Sequence, residues 1–285
     1  MRSAGQWCLV KGMYPQKFYI VGSQRSGTTL LRLILNSHSR VTCHDEARAY
    51  EVLSDSQKLE SLLREDKETQ WIGFKIPRLT EQLNNPSLFD YGLSQTFRNF
   101  YRRDPLVFIV RDVRDVVCSM RTLYFGGVSW LQKWGIPIIQ FWIEKSAGFR
   151  QEYEREIRLA SGAANYELAM GALYWKFKSK CYFKYRELEF PVIQFRYEDV
   201  IRDPRGSVSR LISHLGLGWE DSLLQHHRME HSEVDGEGLA IGGTDSRMPI
   251  SGFHVERYKS ELTTSQVDEI LSISGDLMES FDYSM

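Results

Sequence analysis

The chain has 285 residues, and its 36 lysines and arginines nearly balance its 37 aspartates and glutamates, which gives a net charge of −1. This balance excludes a protein that coats nucleic acid, a polybasic membrane binder and an acidic disordered tail. A hydrophobic content of 42% is sufficient for a sizeable core, and the length suits one large α/β domain or two small ones. The aromatic content of 13% is compatible with an apolar binding pocket.

The cysteines and the first residues of the chain indicate the cellular compartment of the protein. Four cysteines are scattered without a CxxC pair, which is typical of a reduced cytosolic protein. Residues 1–14 have no long apolar core of the kind found in signal peptides, and no run of about 18 apolar residues occurs in the chain. We therefore expect a soluble, cytoplasmic protein with neither a membrane nor a nucleic acid as partner.

Short apolar runs predict three buried strands, and a helical pattern follows each of them. In chain order, the strands are expected at 18–21, 107–110 and 192–195. The helices after them are expected at 29–36, 113–121 and 205–215, with a further amphipathic helix at 264–277. This alternation predicts an α/β fold in which helices flank a central parallel sheet. No repeat or linker divides the chain, so we expect a single domain over 1–285 in which 1–16 form an N-terminal extension.

The clearest motif lies between the first predicted strand and its helix. It reads Gly22-Ser23-Gln24-Arg25-Ser26-Gly27-Thr28-Thr29, with four residues between the two glycines, as in a phosphate-binding P-loop. Main-chain N–H groups at a helix start bind oxyanions, and glycines let the chain approach the anion closely. A nucleoside triphosphatase has a lysine where Thr28 stands, whereas this chain places its cation earlier, at Arg25.

A second pattern suited to anions follows the strand at 107–110. Arg111 stands where that strand ends, and Ser119 lies in the following helix. Arginine binds phosphate with two parallel hydrogen bonds, and ligands of parallel sheets gather at the carboxyl ends of strands. Two anion sites at one edge indicate a nucleotide with phosphates in two places. Asp112, Arg114 and Asp115 are interpreted as a solvated face with pairing at the helix start, and magnesium at Asp112 is an open alternative.

These motifs, together with Arg196-Tyr197-Glu198-Asp199, resemble those of the sulfotransferase superfamily over a span from Lys17 to Tyr283. Members of this family transfer a sulfuryl group from 3′-phosphoadenosine-5′-phosphosulfate (PAPS) and need no metal. Residues 42–48 and 224–229 resemble the branch of the tyrosylprotein sulfotransferases and their bacterial relatives. The resemblance implies the sulfotransferase fold, PAPS as co-substrate and 3′-phosphoadenosine 5′-phosphate (PAP) as product.

The resemblance also implies a role for each matched position. Glu46 would be the general base, and Lys75 and Arg25 would stabilise the charge on the sulfonate and the leaving phosphate. The residues expected to bind the nucleotide are Arg25, Ser26, Gly27, Thr28, Thr29, Arg111, Ser119, Tyr197, Thr244, Asp245, Ser246 and Arg257. The segment from Thr244 to Ser251, together with Arg257, would close over the nucleotide.

The acceptor side is less specified. Arg48, Trp130 and Trp134 are expected beside the acceptor, and the aromatic segment 124–142 is interpreted either as a wall or lid, hinged at Gly126-Gly127, or as ordinary helix packing. Val52 and Leu123 stand where the protein-tyrosine enzymes carry basic side chains, which favours a small-molecule acceptor. His226 and His227 are assigned no site role, because adjacent residues of a helix point in different directions.

The leading hypothesis is therefore a sulfotransferase in which Glu46 takes the proton of a small-molecule hydroxyl during in-line transfer. The alternatives are a tyrosyl-protein sulfotransferase, N-sulfation of an amine or guanidine, a P-loop kinase or nucleoside triphosphatase, and a nucleotide-binding module without activity. The sequence specifies neither the acceptor nor the oligomeric state, because acceptor pockets are built from variable loops.

Overall fold

The computed structural model describes residues 15–65, 69–84, 103–231, 239–240 and 244–285. Its centre is a sheet of five parallel strands in the order β2-β3-β1-β4-β7. These strands are β1 Gln16–Gly22, β2 Val41–His44, β3 Trp71–Lys75, β4 Leu106–Val110 and β7 Val192–Arg196. Two small antiparallel ribbons pair β5 Tyr124–Phe125 with β6 Val128–Ser129, and β8 Leu239–Ala240 with β9 Thr244–Asp245.

Helices connect and cover the strands of the central sheet. They are α1 Thr28–Leu35, α2 Glu46–Leu53, α3 Ser56–Glu65, α4 Leu79–Asn84, α5 Val113–Thr122, α6 Ile136–Lys145, α7 Ala147–Glu152, α8 Glu154–Gly162, α9 Tyr166–Ser179, α10 Cys181–Glu187, α11 Tyr197–Arg202, α12 Pro204–His214, α13 Tyr258–Glu261 and α14 Thr264–Glu279. A π-helical turn spans Leu131–Gly135, and 3-10 helices span Asp221–Arg228 and Gly252–His254. None of the helices in the described part of the chain is long and apolar enough to cross a bilayer.

Side chains that alternate along the strands build one hydrophobic core on each face of the sheet. On one face, Tyr19, Phe74 and Phe108 pack with apolar residues of α5, α9 and α14. On the other face, Phe18 and Ile109 pack with apolar residues of α1, α11 and α12. Because both faces are covered, the strands are apolar almost throughout, which is why they are recognisable as short continuous runs.

The predicted α/β fold with a central parallel sheet is confirmed, and the three predicted strands lie within β1, β4 and β7. The sequence analysis missed β2 and β3. β2 has only four residues, and β3 carries Gly73 in its middle, which weakens a strand pattern. Tertiary packing explains that glycine, because a Cβ at Gly73 would lie 2.2 Å from Cζ of Phe18 on the neighbouring strand.

All five strands point the same way, so their carboxyl ends form one edge, which we call the strand edge. In sheet order, β2 leads into Glu46, β3 ends at Lys75, β1 leads into the loop 23–27, β4 leads into Arg111 and β7 leads into Tyr197. Neighbouring strands are about 4.8 Å apart, so the five exits span roughly 20 Å. The order of the sheet therefore brings together residues that are far apart in the chain.

Candidate active site

The loop 23–27 turns the chain from β1 into α1 and requires glycine at both ends. Gly22 and Gly27 have φ values of 142° and 96°. A Cβ at Gly22 would lie 2.2 Å from the Ile109 carbonyl oxygen, and a Cβ at Gly27 would lie 2.5 Å from Cδ2 of Tyr197. Gly27 is the N-cap of α1 and offers no side-chain acceptor, so the helix presents its first N–H groups uncapped, as an anion site needs.

Arg25 lies within this loop and is surrounded by other cations. Its Nε donates a hydrogen bond to Ser119 Oγ at 3.0 Å. Burial, together with the positive charges of Arg111 and Arg257, lowers the pKa of Arg25 from 12.5 to about 10. Arg25 is still a cation at neutral pH, and the mutual repulsion of these guanidinium groups is relieved when an anion binds between them.

Arg111 is held firmly where β4 ends, and one of its donors has no acceptor. Nη1 donates to the Arg25 carbonyl oxygen at 3.2 Å, Nη2 donates to the His254 carbonyl oxygen, and the guanidinium carbon lies 4.5 Å from the centroid of the Tyr197 ring. Nε is buried without a hydrogen-bond partner, and the same is true of Oγ of Ser26 in the loop. A buried polar group without a partner is costly, so both atoms are suited to an anionic ligand.

A cavity of about 360 Å³ opens at this end of the strand edge, within the size range of small-molecule sites. All of the predicted nucleotide-binding residues line it except Ser26 and Ser246, which are buried. Asp245 and Arg257 are already engaged in its wall. The Asp245 carboxylate accepts from Arg247 Nε at 3.0 Å, and Arg257 donates to a carboxylate oxygen of Glu261 at 2.7 Å.

The wall also contains residues that the sequence analysis did not single out. Ile201, Met248 and Phe253 provide apolar surface, and His226 lines the cavity although it was assigned no site role. Burial and the neighbouring histidines lower the pKa of His226 to about 4, so its ring is neutral at pH 7. No local pattern marks these residues, because the segments that carry them meet the phosphate loop only in the folded chain.

Glu46 and Lys75 lie at the opposite end of the strand edge and form an ion pair. Glu46 begins α2, and its Oε2 lies 3.9 Å from Lys75 Nζ while its Oε1 lies 3.2 Å from Nε of Arg78. Lys75 is buried, and burial lowers the pKa of its amine although the Glu46 carboxylate opposes that shift. Arg78 was not predicted, since no motif marks it, yet it is the second cation on the Glu46 carboxylate.

Lys75 is adjacent to the phosphate loop. β3 pairs with β1 so that Lys75 is opposite Ile20, two residues before Gly22. The positive charge of Arg25 also contributes to the lowered pKa of Lys75. The carboxylate, the amine and the phosphate loop therefore follow one another along three neighbouring strands, with the cavity beyond them.

Arg48 is not brought to this group of residues. Its side chain is 42% exposed and pairs with Glu51 on the same helix, with Nη1 and Oε2 at 2.7 Å. Val52, one turn further along α2, is buried in the core. The helix thus presents Glu46 to the strand edge while Arg48 faces solvent.

Trp130 and Trp134 do not line the cavity, but they belong to an aromatic cluster that contacts the phosphate loop indirectly. The Trp130 ring lies edge-on to Tyr174 at 5.4 Å between centroids, and the Tyr174 hydroxyl donates to Oε1 of Gln24 at 2.5 Å. Trp134 packs edge-on against Phe125 at 4.7 Å. The ring cluster is therefore separated from the loop by one tyrosine.

The pair Gly126-Gly127 forms a two-residue hairpin turn between β5 and β6. Both residues have positive φ, 63° and 84°, as this tight type of turn requires. The predicted hinge at this pair thus coincides with a defined turn. The interpretation of segment 124–142, as an acceptor wall or lid or as ordinary helix packing, stays a prediction.

A buried ion pair lies beneath the ring cluster. Lys178 Nζ is 2.5 Å from Oε1 of Glu81, and both side chains are fully buried. The same amine donates to the Pro77 carbonyl oxygen at 2.9 Å, and the Tyr174 hydroxyl lies 3.3 Å from the Glu81 oxygen. These contacts hold the segment after Lys75 against α9.

The interpretation of Asp112, Arg114 and Asp115 as a solvated face is wrong, because all three side chains are buried, whereas the expected pairing at the helix start is confirmed. Asp112 caps α5 and binds the Arg114 guanidinium with both carboxylate oxygens. The C-terminal part of the chain covers this face, and the Tyr258 ring lies 4.3 Å from the Arg114 guanidinium carbon. Within the described ranges, no group of three or more His, Cys, Asp or Glu side chains is arranged to hold a metal ion.

Comparisons with known proteins agree with this arrangement. A family model described as the sulfotransferase family matches residues 16–105, which include the phosphate loop, Glu46 and Lys75. A Caenorhabditis briggsae protein, named as a candidate protein-tyrosine sulfotransferase, is 22% identical over 236 residues, 78% of this chain and 73% of that protein.

Solved structures show the same fold. The sulfotransferase domain from the curacin biosynthetic pathway matches with a TM-score of 0.54 at 16% identity, over 96% of this chain and 100% of that one. Mouse sulfotransferase SULT7A1, solved in complex with PAP, matches with a TM-score of 0.50 at 14% identity, over 94% of this chain and 86% of that one.

The sheet order, the loop between β1 and α1 and these structural matches define an α/β protein of the sulfotransferase fold. The family model over residues 16–105 and the related protein support the sulfotransferase superfamily, and family and fold together support an enzyme, a sulfotransferase.

Proposed function

We propose that this sulfotransferase transfers a sulfuryl group from PAPS to a hydroxyl group of a small-molecule acceptor, with Glu46 as the general base. The observation that carries the proposal is the layout of the strand edge. A cavity lined by Arg111, whose buried Nε lacks a partner, lies at one end of this edge, and the carboxylate–amine pair of Glu46 and Lys75 lies at the other.

The described residues fit a nucleotide with phosphates at two positions. The loop 23–27 and the first turn of α1 offer N–H groups and Arg25 to the 5′-phosphosulfate. Arg111 and Ser119 offer a guanidinium N–H and a hydroxyl to the 3′-phosphate. Tyr197, Ile201 and other apolar parts of the wall leave a less polar region for the purine. PAPS, when bound, supplies an activated sulfuryl group.

The residues at the other end of the edge are suited to the transfer itself. Lys75 and Arg25 are cations on either side of the loop exit, where negative charge grows on the leaving phosphate oxygen. Glu46 is 23% exposed at its side chain, so an acceptor can approach it from solvent. Its carboxylate accepts the proton of the attacking hydroxyl, while Lys75 and Arg78 keep the carboxylate oriented.

A protein-tyrosine acceptor is the second candidate, and it is favoured by the named activity of the Caenorhabditis briggsae relative. An acidic peptide requires basic side chains around the reacting tyrosine. Arg48 is paired with Glu51, Val52 is buried, and Leu123 is in the cavity wall. These three positions are the reason for placing the small-molecule acceptor first.

The test measures nucleotide binding and transfer separately on the full chain. Calorimetry with PAP tests the nucleotide site, and turnover of labelled PAPS is followed over phenols, alcohols, amines and tyrosine peptides. Binding of PAP with transfer to a small hydroxyl compound supports the proposal. Exclusive transfer to peptides or to amines overturns the acceptor class, and absence of PAP binding, or Mg²⁺-dependent ATP turnover in its place, overturns the nucleotide assignment.

A further inference from the structure

Asp115 holds the segment that forms one wall of the nucleotide cavity. We call residues 244–258 the closing segment. The Asp115 carboxylate accepts two main-chain hydrogen bonds from it, from Glu256 N–H at 2.8 Å and from Tyr258 N–H at 3.1 Å, one on each oxygen. Asp115 is 1% exposed, so both bonds are shielded from water. A carboxylate that accepts two N–H bonds in a dry environment is a strong attachment.

The attachment joins two elements that face the same cavity. Asp115 lies on α5, which also carries Ser119 and begins two residues after Arg111. On the other side, His254 and Arg257 of the closing segment line the cavity beside the two bonded N–H groups. The position of this wall relative to the anion site therefore depends on the Asp115 carboxylate.

The backbone of the closing segment is shaped around this attachment. Glu256 has a φ of 60°, which non-glycine residues adopt at a cost, and its N–H is one of the two that donate to Asp115. The turn directs both the Glu256 and the Tyr258 N–H groups toward α5. The residue between them, Arg257, is then directed to Thr122 Oγ1 at 3.1 Å, further along the same helix.

We propose that Asp115 is a positioning residue that fastens the closing segment over the nucleotide cavity and so sets how slowly the nucleotide leaves. The proposal rests on the proposed function, because it assumes that PAPS and PAP occupy this cavity. Asp115 acts through the main chain of the closing segment.

A purely electrostatic role for Asp115 predicts that its loss tightens nucleotide binding, whereas the proposed attachment predicts weaker binding. The proposal is therefore testable. Its Oδ2 lies 3.7 Å from Arg111 Nη2, so the carboxylate offsets part of the positive charge that an anion would meet. If charge were its main contribution, Asp115→Asn would tighten nucleotide binding. If attachment is its contribution, the same change loosens binding, because an asparagine oxygen accepts one N–H while its amide N–H₂ opposes the other.

The experiment compares Asp115→Asn with Asp112→Asn. Asp112 is a buried carboxylate on the same helix start, but it bonds Arg114 rather than the closing segment. The readouts are the PAP dissociation rate from stopped-flow displacement, the kcat and KM for PAPS, and tryptic cleavage after Arg247 and Lys259, whose side chains are exposed. Asp115→Glu is a further variant that keeps the charge and shifts its position.

For Asp115→Asn we expect PAP to dissociate at least about tenfold faster and the KM for PAPS to rise similarly, with kcat changed far less. For Asp115→Glu we expect a PAP dissociation rate and a KM for PAPS between those of the wild type and of Asp115→Asn. Asp112→Asn is expected to lower thermal stability, because it leaves the buried Arg114 guanidinium without its carboxylate, and to leave the PAP dissociation rate within about twofold. Slower or unchanged dissociation in Asp115→Asn overturns the proposal, as does kcat falling with KM unchanged.

The outcome separates this proposal from the proposed function. If the wild type fails to bind PAP, the nucleotide assignment has failed, and the attachment is then judged by proteolysis without ligand. Faster cleavage of the closing segment in Asp115→Asn than in Asp112→Asn supports the attachment, and equal cleavage overturns it. If Asp115→Asn does not fold, Asp115→Glu provides the same comparison.

Discussion

The two ends of the strand edge are built by different means. Around the phosphate loop, glycines, uncapped N–H groups and the buried Arg111, bonded to two carbonyl oxygens, make a site whose shape is set by the main chain. Around Glu46, the functional groups are side chains at the ends of β2 and β3, held by ion pairs at 3.2 and 3.9 Å. The end at the phosphate loop is thus preorganised to receive an anion, while the end at Glu46 consists of side chains that can exchange partners.

The largest expected effect comes from Glu46→Gln, which removes the base and keeps the shape of the side chain. We expect kcat to fall by about 10²- to 10⁴-fold, since the hydroxyl proton then has no acceptor. PAP affinity should change by less than about twofold, because Glu46 does not line the cavity. Steady-state kinetics and calorimetry measure the two effects. Glu51→Gln on the same helix is the control, and full activity of Glu46→Gln would mean that the base lies elsewhere.

Arg111→Gln tests the opposite end of the edge. It removes a charged donor from the proposed 3′-phosphate site, and we expect PAP affinity to drop by about 10- to 100-fold. Arg121→Gln is the matched control, because Arg121 lies on α5, the helix that follows Arg111, and is in contact with Glu261 outside the cavity. Calorimetry is the measurement. Equal loss of affinity in both variants would show that the effect is general electrostatics and not a phosphate contact.

The pH dependence of kcat tests whether the Lys75 ammonium takes part in the transfer step. Burial lowers the pKa of its amine below the ordinary 10.5, and the ammonium form that stabilises negative charge exists only below that pKa. We expect kcat at saturating substrate to fall as pH rises through this lowered pKa toward 10.5. Over the same window the Lys75 contribution to stability rises with pH, because the unfolded chain binds the proton that the folded chain has lost. Lys75→Arg should shift the alkaline decline upward, and an unchanged profile would remove Lys75 from the transfer step.

Tyr174→Phe is expected to have the smallest effect on transfer. It removes the hydroxyl that lies between Gln24 and Glu81 without changing the packing against Trp130. We expect a loss of about 1–2 kcal/mol in the free energy of unfolding and a decrease in kcat of less than about fivefold. Urea denaturation and kinetics measure both, with Tyr166→Phe on the same helix as the control. If Tyr174→Phe lowered kcat more than Glu46→Gln does, the phosphate-loop end of the strand edge, and not the Glu46 end, would control the transfer step.

Much of the nucleotide end was predictable because its chemistry is local. A strand, a glycine-rich loop with Arg25 and a helix follow one another in the chain, and the second anion pattern has the same order around Arg111. Short-range patterns of this kind specify main-chain geometry. Asp115 was misread because only the closing segment, some 140 residues later, removes it from solvent.

The other end was less predictable because its contacts are set by sheet order. β2 and β3 were missed, so the sequence analysis did not place Glu46 beside Lys75 through their strands, and Arg78 carried no signal at all. Arg48 and Glu46 are two residues apart, yet one pairs with solvent-exposed Glu51 and the other with buried Lys75. Residues two positions apart on a helix point in different directions, and only the packed structure decides which of the two faces the site.

The sequence by itself determined the α/β class, the phosphate loop and the position of Arg111, because apolar runs and glycine spacing act on the chain locally. Only the tertiary structure decided that Asp115 binds the closing segment, that His226 reaches the cavity and that Glu46 is bracketed by Lys75 and Arg78. The physical reason is that the energetics of charged groups depend on burial and on partners supplied by distant segments. A balanced net charge of −1 therefore coexists with a cluster of three arginines, Arg25, Arg111 and Arg257, around one cavity.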